Sequence, residues 1–163
     1  MQKSDAFLEI YGGIYEHSLW IATGAYAAQK GNNLDTVNGL HSAMIATLNA
    51  ADEPAKMTLI CAHPDLAGKL AVGEALTVES TSEQRGAGLD RCTPEEFEEF
   101  QTLNTTYKAT FGFPFISAVK GLGRQRILAA FRARINNDRE TEFNMALEQI
   151  NRIAYFRLVD LAD

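Results

Sequence analysis

Two stretches of the chain combine side chains that could move protons. His63 precedes Pro64 and Asp65, and Glu83 and Gln84 follow about twenty positions later, after a run of serines and threonines. An imidazole has an unperturbed pKa of roughly 6.5, so it can donate or accept a proton near neutral pH. A carboxylate can orient such a ring or exchange a proton itself. These residue types predict acid–base chemistry, with His63 and Glu83 as the candidate catalytic pair.

The local sequence predicts how these two side chains are held. Proline disfavours the α conformation of the preceding residue, so His63 should lie at or just past a helix C-terminus. Asp65 should bond nearby backbone donors. Ser80 and Glu83 have the spacing of a capping box, which predicts that a helix begins with Ser80 at its N-cap. Capping alone would explain Glu83, and capping or packing would explain His63, so both alternatives remain open at this point.

Arg157 is unusual because of the residues that share its helix face. The last predicted helix carries one apolar seam, and Arg157 lies on it, seven residues after Ile150; the seam consists of Phe143, Leu147, Ile150, Ala154 and Leu161. An arginine there is disfavoured unless it is paired or extends its head into water. The other interpretation is a guanidinium that projects into a pocket and binds a carboxylate or carbonyl group.

Two further sites could contact a ligand. Phe113–Ile116 form an apolar loop, although loops normally run over the surface. The loop is either core or a wall for a flat heterocycle, with Ser117 beside it. Gln84 would ordinarily face solvent, but its amide could bond a polar group of a ligand, such as a carbonyl.

Four separated motifs carry a resemblance to a known family. AHPDLAG, SxxEQxxAGL, LNxxYxxxFGFPFI and a final helix ending in IAYFRL occur in this order, and the similarity runs from GGIYEHS to Leu158. Together they resemble the 2-oxo-4-hydroxy-4-carboxy-5-ureidoimidazoline (OHCU) decarboxylases. Leu19 and Cys61 replace a usual proline and a usual basic residue of that family. Neither departure touches the predicted chemistry, and Cys61 is interpreted as a buried or incidental thiol rather than a nucleophile.

The resemblance implies a reaction and a site. OHCU, an unstable intermediate of urate breakdown, would lose its carboxyl group as CO₂ and become (S)-allantoin. His63 would act as proton donor or base, and Glu83 would orient it or engage the substrate hydroxyl; which of the two makes the first proton transfer stays open. The substrate-binding residues would be Pro64, Gln84, Phe113, Phe115, Ile116, Ser117 and Arg157. No metal or cofactor is expected, because the substrate carries its own electron sink, and the family expectation is a homodimer.

Composition narrows the classes of partner. The net charge is −6 with no basic block, so binding to nucleic acid through phosphate contacts is not expected. No apolar run approaches the roughly 18 residues of a membrane span. Two cysteines, an N-terminus without a long apolar core and a C-terminal LAD rather than SKL predict a cytoplasmic protein with reduced thiols.

The apolar periodicity predicts an all-α protein, with residues 1–163 as a single compact domain of about seven to nine helices. The firmest helix start is Thr93-Pro94-Glu95-Glu96, which combines an N-cap, a proline at N1 and a glutamate at N3. Gly112 should end that helix. The alternative to an enzyme is a helical interaction domain that docks a partner through its apolar FGFPFI loop.

Overall fold

The computed structural model describes residues 3–28, 33–68 and 76–162. Within these ranges the regular structure is entirely helical, so the all-α prediction is confirmed. None of the helices in the described part of the chain combines the length and apolarity needed to span a bilayer. The described residues form eight helices: α1 (Lys3–Tyr11), α2 (Leu19–Ala27), α3 (Val37–Asn49), α4 (Glu53–Cys61), α5 (Val78–Gly86), α6 (Pro94–Phe111), α7 (Arg124–Arg134) and α8 (Arg139–Ala162).

The backbone groups into two units. Unit 1 contains residues 1–62 and 151–163, and unit 2 contains residues 63–150. A single domain over the whole chain stays a prediction.

Unit 1 holds α1 to α4 and the C-terminal part of α8. Ile21, Met44 and Leu48 are among its fully buried side chains. Asn151 of α8 is hydrogen-bonded through both its side chain and its backbone carbonyl. Tyr15 donates its hydroxyl to Asn151 Oδ1 at 2.7 Å, and the His41 ring lies 2.7 Å from the Asn151 carbonyl oxygen. These contacts tie the final helical segment to the first part of the chain.

Unit 2 is built around an aromatic cluster centred on Tyr107 of α6. Its ring makes edge contacts with Phe113, Phe115 and Phe131 at centroid distances of 6.0, 5.5 and 5.7 Å. Phe115 stacks on Phe131 with centroids 3.8 Å apart. The apolar loop after α6 is therefore core, which explains why it lacks polar residues.

The predicted start and end of α6 are confirmed. Thr93 Oγ1 accepts from the Glu96 amide at 3.1 Å, and Glu96 Oε1 accepts from the Thr93 amide at 2.9 Å, which completes a capping box. Pro94 occupies the first helical turn. Gly112 ends the helix in a left-handed conformation, with φ of 82°, that glycine adopts without steric cost.

The predicted start of α5 is wrong. The helix begins at Val78, and its N-cap is Thr77, whose hydroxyl accepts from the Ser80 amide at 3.2 Å. Ser80 and Glu83 therefore lie inside the helix and form no capping box. Thr77 prevails because its hydroxyl reaches the third helical amide, while Glu79 places an acid in the first turn, where the helix dipole favours it.

One member of the predicted α8 seam is also wrong. Leu161 is 53% exposed, whereas Ile150 and Ala154 are buried as expected. Leu158 is buried beside Arg157, so the apolar face drifts around the axis as the helix approaches its end.

Candidate active site

His63 comes directly after α4, which ends at Cys61 with Ala62 as its C-cap. The predicted position past a helix C-terminus is confirmed, and both His63 and Pro64 are half-buried. Asp65 behaves differently from the prediction. Its carboxylate accepts from Lys108 Nζ of α6 at 2.7 Å, so its partner among the described residues is a side-chain cation rather than a backbone donor. We call residues 63–68 the histidine loop.

Gln84 of α5 is bound to the histidine loop at two points. Its Oε1 accepts from the Ala67 amide at 3.2 Å, and its Nε2 donates to the Asp65 carbonyl at 3.3 Å. The side chain is only 2% exposed, so the solvent-facing alternative is wrong. Glu83 precedes it and is half-buried. The structure thus brings α5 against the histidine loop, while direct contact of Gln84 with a substrate stays a prediction.

Phe113, Phe115, Ile116 and Ser117 are all buried in unit 2. Arg134 of α7 fixes this loop: its guanidinium lies 4.3 Å from the centre of the Phe115 ring and donates to the Ile116 carbonyl at 2.6 Å. The Ala118 amide donates to Gln149 Oε1 at 2.9 Å. The loop therefore has an anchored backbone, and contact between its residues and a substrate stays a prediction.

A buried carboxylate holds Arg134 in place. Glu142 of α8 is fully buried and accepts from Arg134 Nε at 3.0 Å. It also accepts from the Tyr107 hydroxyl at 2.6 Å and from Asn137 Nδ2 at 3.0 Å. Burial, and then the bond to Glu142, raises the pKa of Tyr107, so the phenol remains a proton donor at all ordinary pH values. Residues of α6, α7 and α8 together therefore hold the loop that follows α6.

Arg157 is buried in unit 1 and does not extend to water. It is 5% exposed, its Nη1 donates to the Ile14 carbonyl at 3.0 Å, and its Nη2 donates to Glu16 Oε1 at 2.8 Å. The snorkelling interpretation is wrong, because Glu16, at 2% exposure, supplies a buried counter-charge. Sequence reasoning missed Glu16. The signal for it was an acid in the EHS motif together with an arginine that needs a buried partner.

The predicted residues divide between the units. Arg157 belongs to unit 1, and the other predicted site residues belong to unit 2. Membership of Arg157 in the site with His63 therefore stays a prediction.

A separate cleft of about 440 Å³ in unit 2 contains none of the predicted site residues. It lies at the C-terminal end of α5, beside Gly86 and Gly88, and Arg91, Arg124 and Arg126 contribute to its lining. Within the described ranges, no group of three His, Cys, Asp or Glu side chains is arranged to hold a metal ion. Cys61 is exposed, so the buried-thiol alternative is wrong. Its thiol lies 3.8 Å from Met57 Sδ, and desolvation raises the pKa of that thiol, which disfavours a nucleophilic thiolate.

Comparison with known proteins covers almost the whole chain. The family model for OHCU decarboxylase matches residues 1–159. The 2-oxo-4-hydroxy-4-carboxy-5-ureidoimidazoline decarboxylase of Halalkalicoccus jeotgali is 41% identical over 157 residues, which is 96% of this chain and 85% of that protein. The uric acid degradation bifunctional protein PucL of Bacillus subtilis is 43% identical over 150 residues, 92% of this chain but only 29% of that protein.

Two solved structures are similar in fold. An (S)-allantoin synthase superimposes with a TM-score of 0.77 at 34% identity, covering 98% of this chain and 51% of that chain. An OHCU decarboxylase crystallised in the presence of (S)-allantoin gives a TM-score of 0.70 over 98% of this chain and 99% of that chain. Its identity is 18%, so this second likeness concerns the fold alone. From the family match, the relatives and the retained motifs together, it follows that the chain belongs to the OHCU decarboxylase family.

Proposed function

We propose that this protein decarboxylates OHCU and releases (S)-allantoin. The observation that carries the proposal is the family match over residues 1–159, which includes both the histidine loop and the FGFPFI loop. Relatives of similar length bear the name of this decarboxylase, and the larger bifunctional relatives are named for uric acid degradation. The reaction class is that of a carboxy-lyase.

The chemistry asks for few catalytic groups. The bond between the ring carbon and the carboxyl group breaks, CO₂ leaves, and the electron pair spreads into the adjacent C=N bond of the ring. The C=N nitrogen takes up one proton, a second proton adds to the ring carbon that bears the ureido group, and the hydroxyl gives up its proton to become the ring carbonyl of allantoin. The protein must hold the carboxylate out of conjugation, stabilise the developing charge, and deliver the proton to one face. Delivery to one face would give a single enantiomer, where the uncatalysed reaction gives a racemate.

His63 is the proposed proton donor or base. His63 is half-buried after α4 and so remains partly accessible, and Pro64 restricts the backbone that carries it. Glu83 is proposed to orient His63 or to engage the substrate hydroxyl. What supports this pairing is the double contact of the neighbouring Gln84 with Asp65 and Ala67, which brings this turn of α5 to the histidine loop.

The remaining substrate contacts are proposed for Pro64, Gln84, the loop residues Phe113, Phe115, Ile116 and Ser117, and Arg157. Phe113, Phe115 and Ile116 are at most 2% exposed, so the anchored loop is proposed to bond a flat ring through its main-chain groups. A guanidinium held by a buried carboxylate suits a carbonyl or carboxylate group, because its planar fork is already oriented. The finer proposals are a cofactor-free reaction, a homodimer and a cytoplasmic location.

The burial of the FGFPFI loop disfavours the alternative of a helical interaction domain. Phe113, Phe115 and Ile116 are each at most 2% exposed, so the FGFPFI loop offers no apolar patch to a partner.

The test is to generate OHCU from urate in the assay and to follow the optical activity of the allantoin that forms. The wild-type protein should accelerate the appearance of (S)-allantoin, and the rate should survive treatment with EDTA. His63→Asn should lose about 10²–10⁴-fold in rate, the usual contribution of acid–base catalysis.

His17→Asn is the matched control. His17 has a side chain that is 68% exposed and a φ of 46°, a left-handed conformation that asparagine tolerates well. This control should keep full activity. If His63→Asn were as fast as His17→Asn, His63 would be structural and the proposed mechanism would fail.

A further inference from the structure

The LNxxY motif, which begins at Leu103, has no role in the proposed chemistry, yet its asparagine contacts the histidine loop. Asn104 of α6 donates from Nδ2 to the Leu66 carbonyl at 3.0 Å, and Gln101 donates from Nε2 to the Ala67 carbonyl at 3.2 Å. The Asp65 carbonyl accepts from Gln84. Three consecutive carbonyls of the histidine loop therefore each accept a side-chain amide.

These hydrogen bonds fix the backbone of the histidine loop. A loop normally satisfies its backbone groups with water at the surface, but Leu66 and Ala67 are buried, so their carbonyl groups need partners from the protein. Gln101, Asn104 and Lys108 are three and then four residues apart, so they lie on one face of α6. α6 thus presents a row of donors to one side of the loop.

The conformation of Ala67 shows that the loop is constrained. Its φ of 55° lies in the left-handed region, which costs a non-glycine residue roughly 1–3 kcal/mol. Such a conformation persists where its surroundings over-determine it. Gln84 holds the amide of Ala67 and Gln101 holds its carbonyl, so both backbone groups of the strained residue are fixed.

Stability alone does not favour an asparagine at position 104. The side chain is 3% exposed, and its Oδ1 has no hydrogen-bond partner among the described residues. A buried polar atom without a partner costs about 1–3 kcal/mol. A leucine of similar volume would leave the buried Leu66 carbonyl without this partner but would also remove the unpaired Oδ1, so two penalties of similar size largely offset each other.

We infer that Asn104 and Gln101 are positioning residues that set the histidine loop and, through it, the place of the His63 ring. The inference rests on the proposed function, in which His63 transfers the proton. In this view the two amides act on His63 without touching the substrate. A displacement of a reacting group by about 1 Å can cost about 10²-fold in rate.

The experiment compares Asn104→Leu and Gln101→Met with Phe100→Leu, assayed well below the melting temperature of every variant. Phe100 is a fully buried side chain of the same helix, so its shortening perturbs the core without removing an amide donor. Asn104→Leu and Gln101→Met should lower kcat by about 10- to 100-fold and leave KM nearly unchanged. Phe100→Leu should keep kcat.

A second measurement requires no turnover. The chain has three histidines, so the imidazole signals of His63 can be assigned in NMR spectra by means of His63→Asn. In Asn104→Leu and Gln101→Met the His63 signals should shift or broaden, while those of His17 and His41 stay in place and serve as internal references.

The outcomes separate the two hypotheses. If the wild-type protein forms no allantoin, the proposed function fails, but a selective change at His63 still supports positioning. Unchanged His63 signals and an unchanged kcat in both amide variants would overturn the inference. An equal loss of kcat in Phe100→Leu would also overturn it, because the effect would then be general packing. If Asn104→Leu does not fold, the partly exposed Gln101→Met decides alone.

Discussion

Glu83 lies inside α5, so its carboxylate is not needed to cap that helix. Glu83→Gln should therefore change the free energy of unfolding by less than about 0.5 kcal/mol, as for most substitutions away from caps and cores. If the carboxylate takes part in the reaction, the rate of allantoin formation should nevertheless fall sharply. Thermal melts and the optical assay measure the two quantities.

Thr77→Ala is the complementary variant. It removes the N-cap hydroxyl of the same helix and should cost about 0.5–2 kcal/mol while Glu83 remains intact. An active Glu83→Gln enzyme would contradict the catalytic role of Glu83.

Arg157→Lys keeps the positive charge beside Glu16 but loses the planar fork that donates to both Ile14 and Glu16. We expect lower stability and a raised KM, because an ammonium group cannot reproduce that geometry. Arg157→Met should be worse, since removal of one partner of a buried ion pair typically costs about 3–5 kcal/mol. Denaturant unfolding and steady-state kinetics on both variants separate the roles. A melting temperature that falls while KM stays constant would make Arg157 a structural residue only.

The start of α6 links helix capping to acid stability. Glu96 accepts from the Thr93 amide, from Arg124 Nε at 3.0 Å and from Gln125 Nε2 at 2.8 Å. The pKa of Glu96 is held below its ordinary value of 4.5, mainly by the hydrogen bond from the Thr93 amide and next by the contact with Arg124. Because the folded pKa is lowered, this stabilisation is complete above the ordinary value. It is lost as the pH falls through the folded value.

Glu96→Gln should therefore lower stability at neutral pH by about 1.5–3 kcal/mol, the usual range for hydrogen bonds to charged groups. The difference from wild type should shrink as the pH falls, since glutamine does not titrate. Urea unfolding at a series of pH values measures this, with Glu95→Gln, an exposed acid of the same turn, as the control. A constant difference at all pH values would show that the charge of Glu96 contributes nothing.

The two helix starts also show what local sequence can predict. Thr93, Pro94 and Glu96 carry three signals at fixed offsets, and the predicted cap is confirmed. Ser80 and Glu83 carried two, and Thr77, three residues earlier, offered a hydroxyl that competes for the same purpose. Contacts between residues far apart in the sequence could not be predicted from local patterns. Arg157 and Glu16 are 141 positions apart, and Asn104 and Leu66 are 38 apart. A periodic pattern shows that a buried arginine needs a partner, but it does not say which acid supplies it.

For the protein as a whole, product binding should appear as thermal stabilisation. A ligand that binds only the folded state stabilises it by RT ln(1 + [L]/Kd), about 2.7 kcal/mol at one hundred times Kd. (S)-Allantoin should therefore raise the melting temperature in a concentration-dependent way, and (R)-allantoin should do so less. Equal shifts with both enantiomers would contradict a stereospecific site, and a shift retained in the His63→Asn/Arg157→Lys double variant would place the ligand elsewhere.

Ala67 restricts which sequences can carry this site. Its left-handed backbone conformation is one requirement, which glycine, asparagine and aspartate meet most readily. Its complete burial is a second requirement, because a side chain larger than a methyl group does not fit unless the surroundings repack. Besides the alanine already present, only glycine meets both requirements. In a library that samples every amino acid at this position, selection for allantoin formation should return alanine and glycine alone.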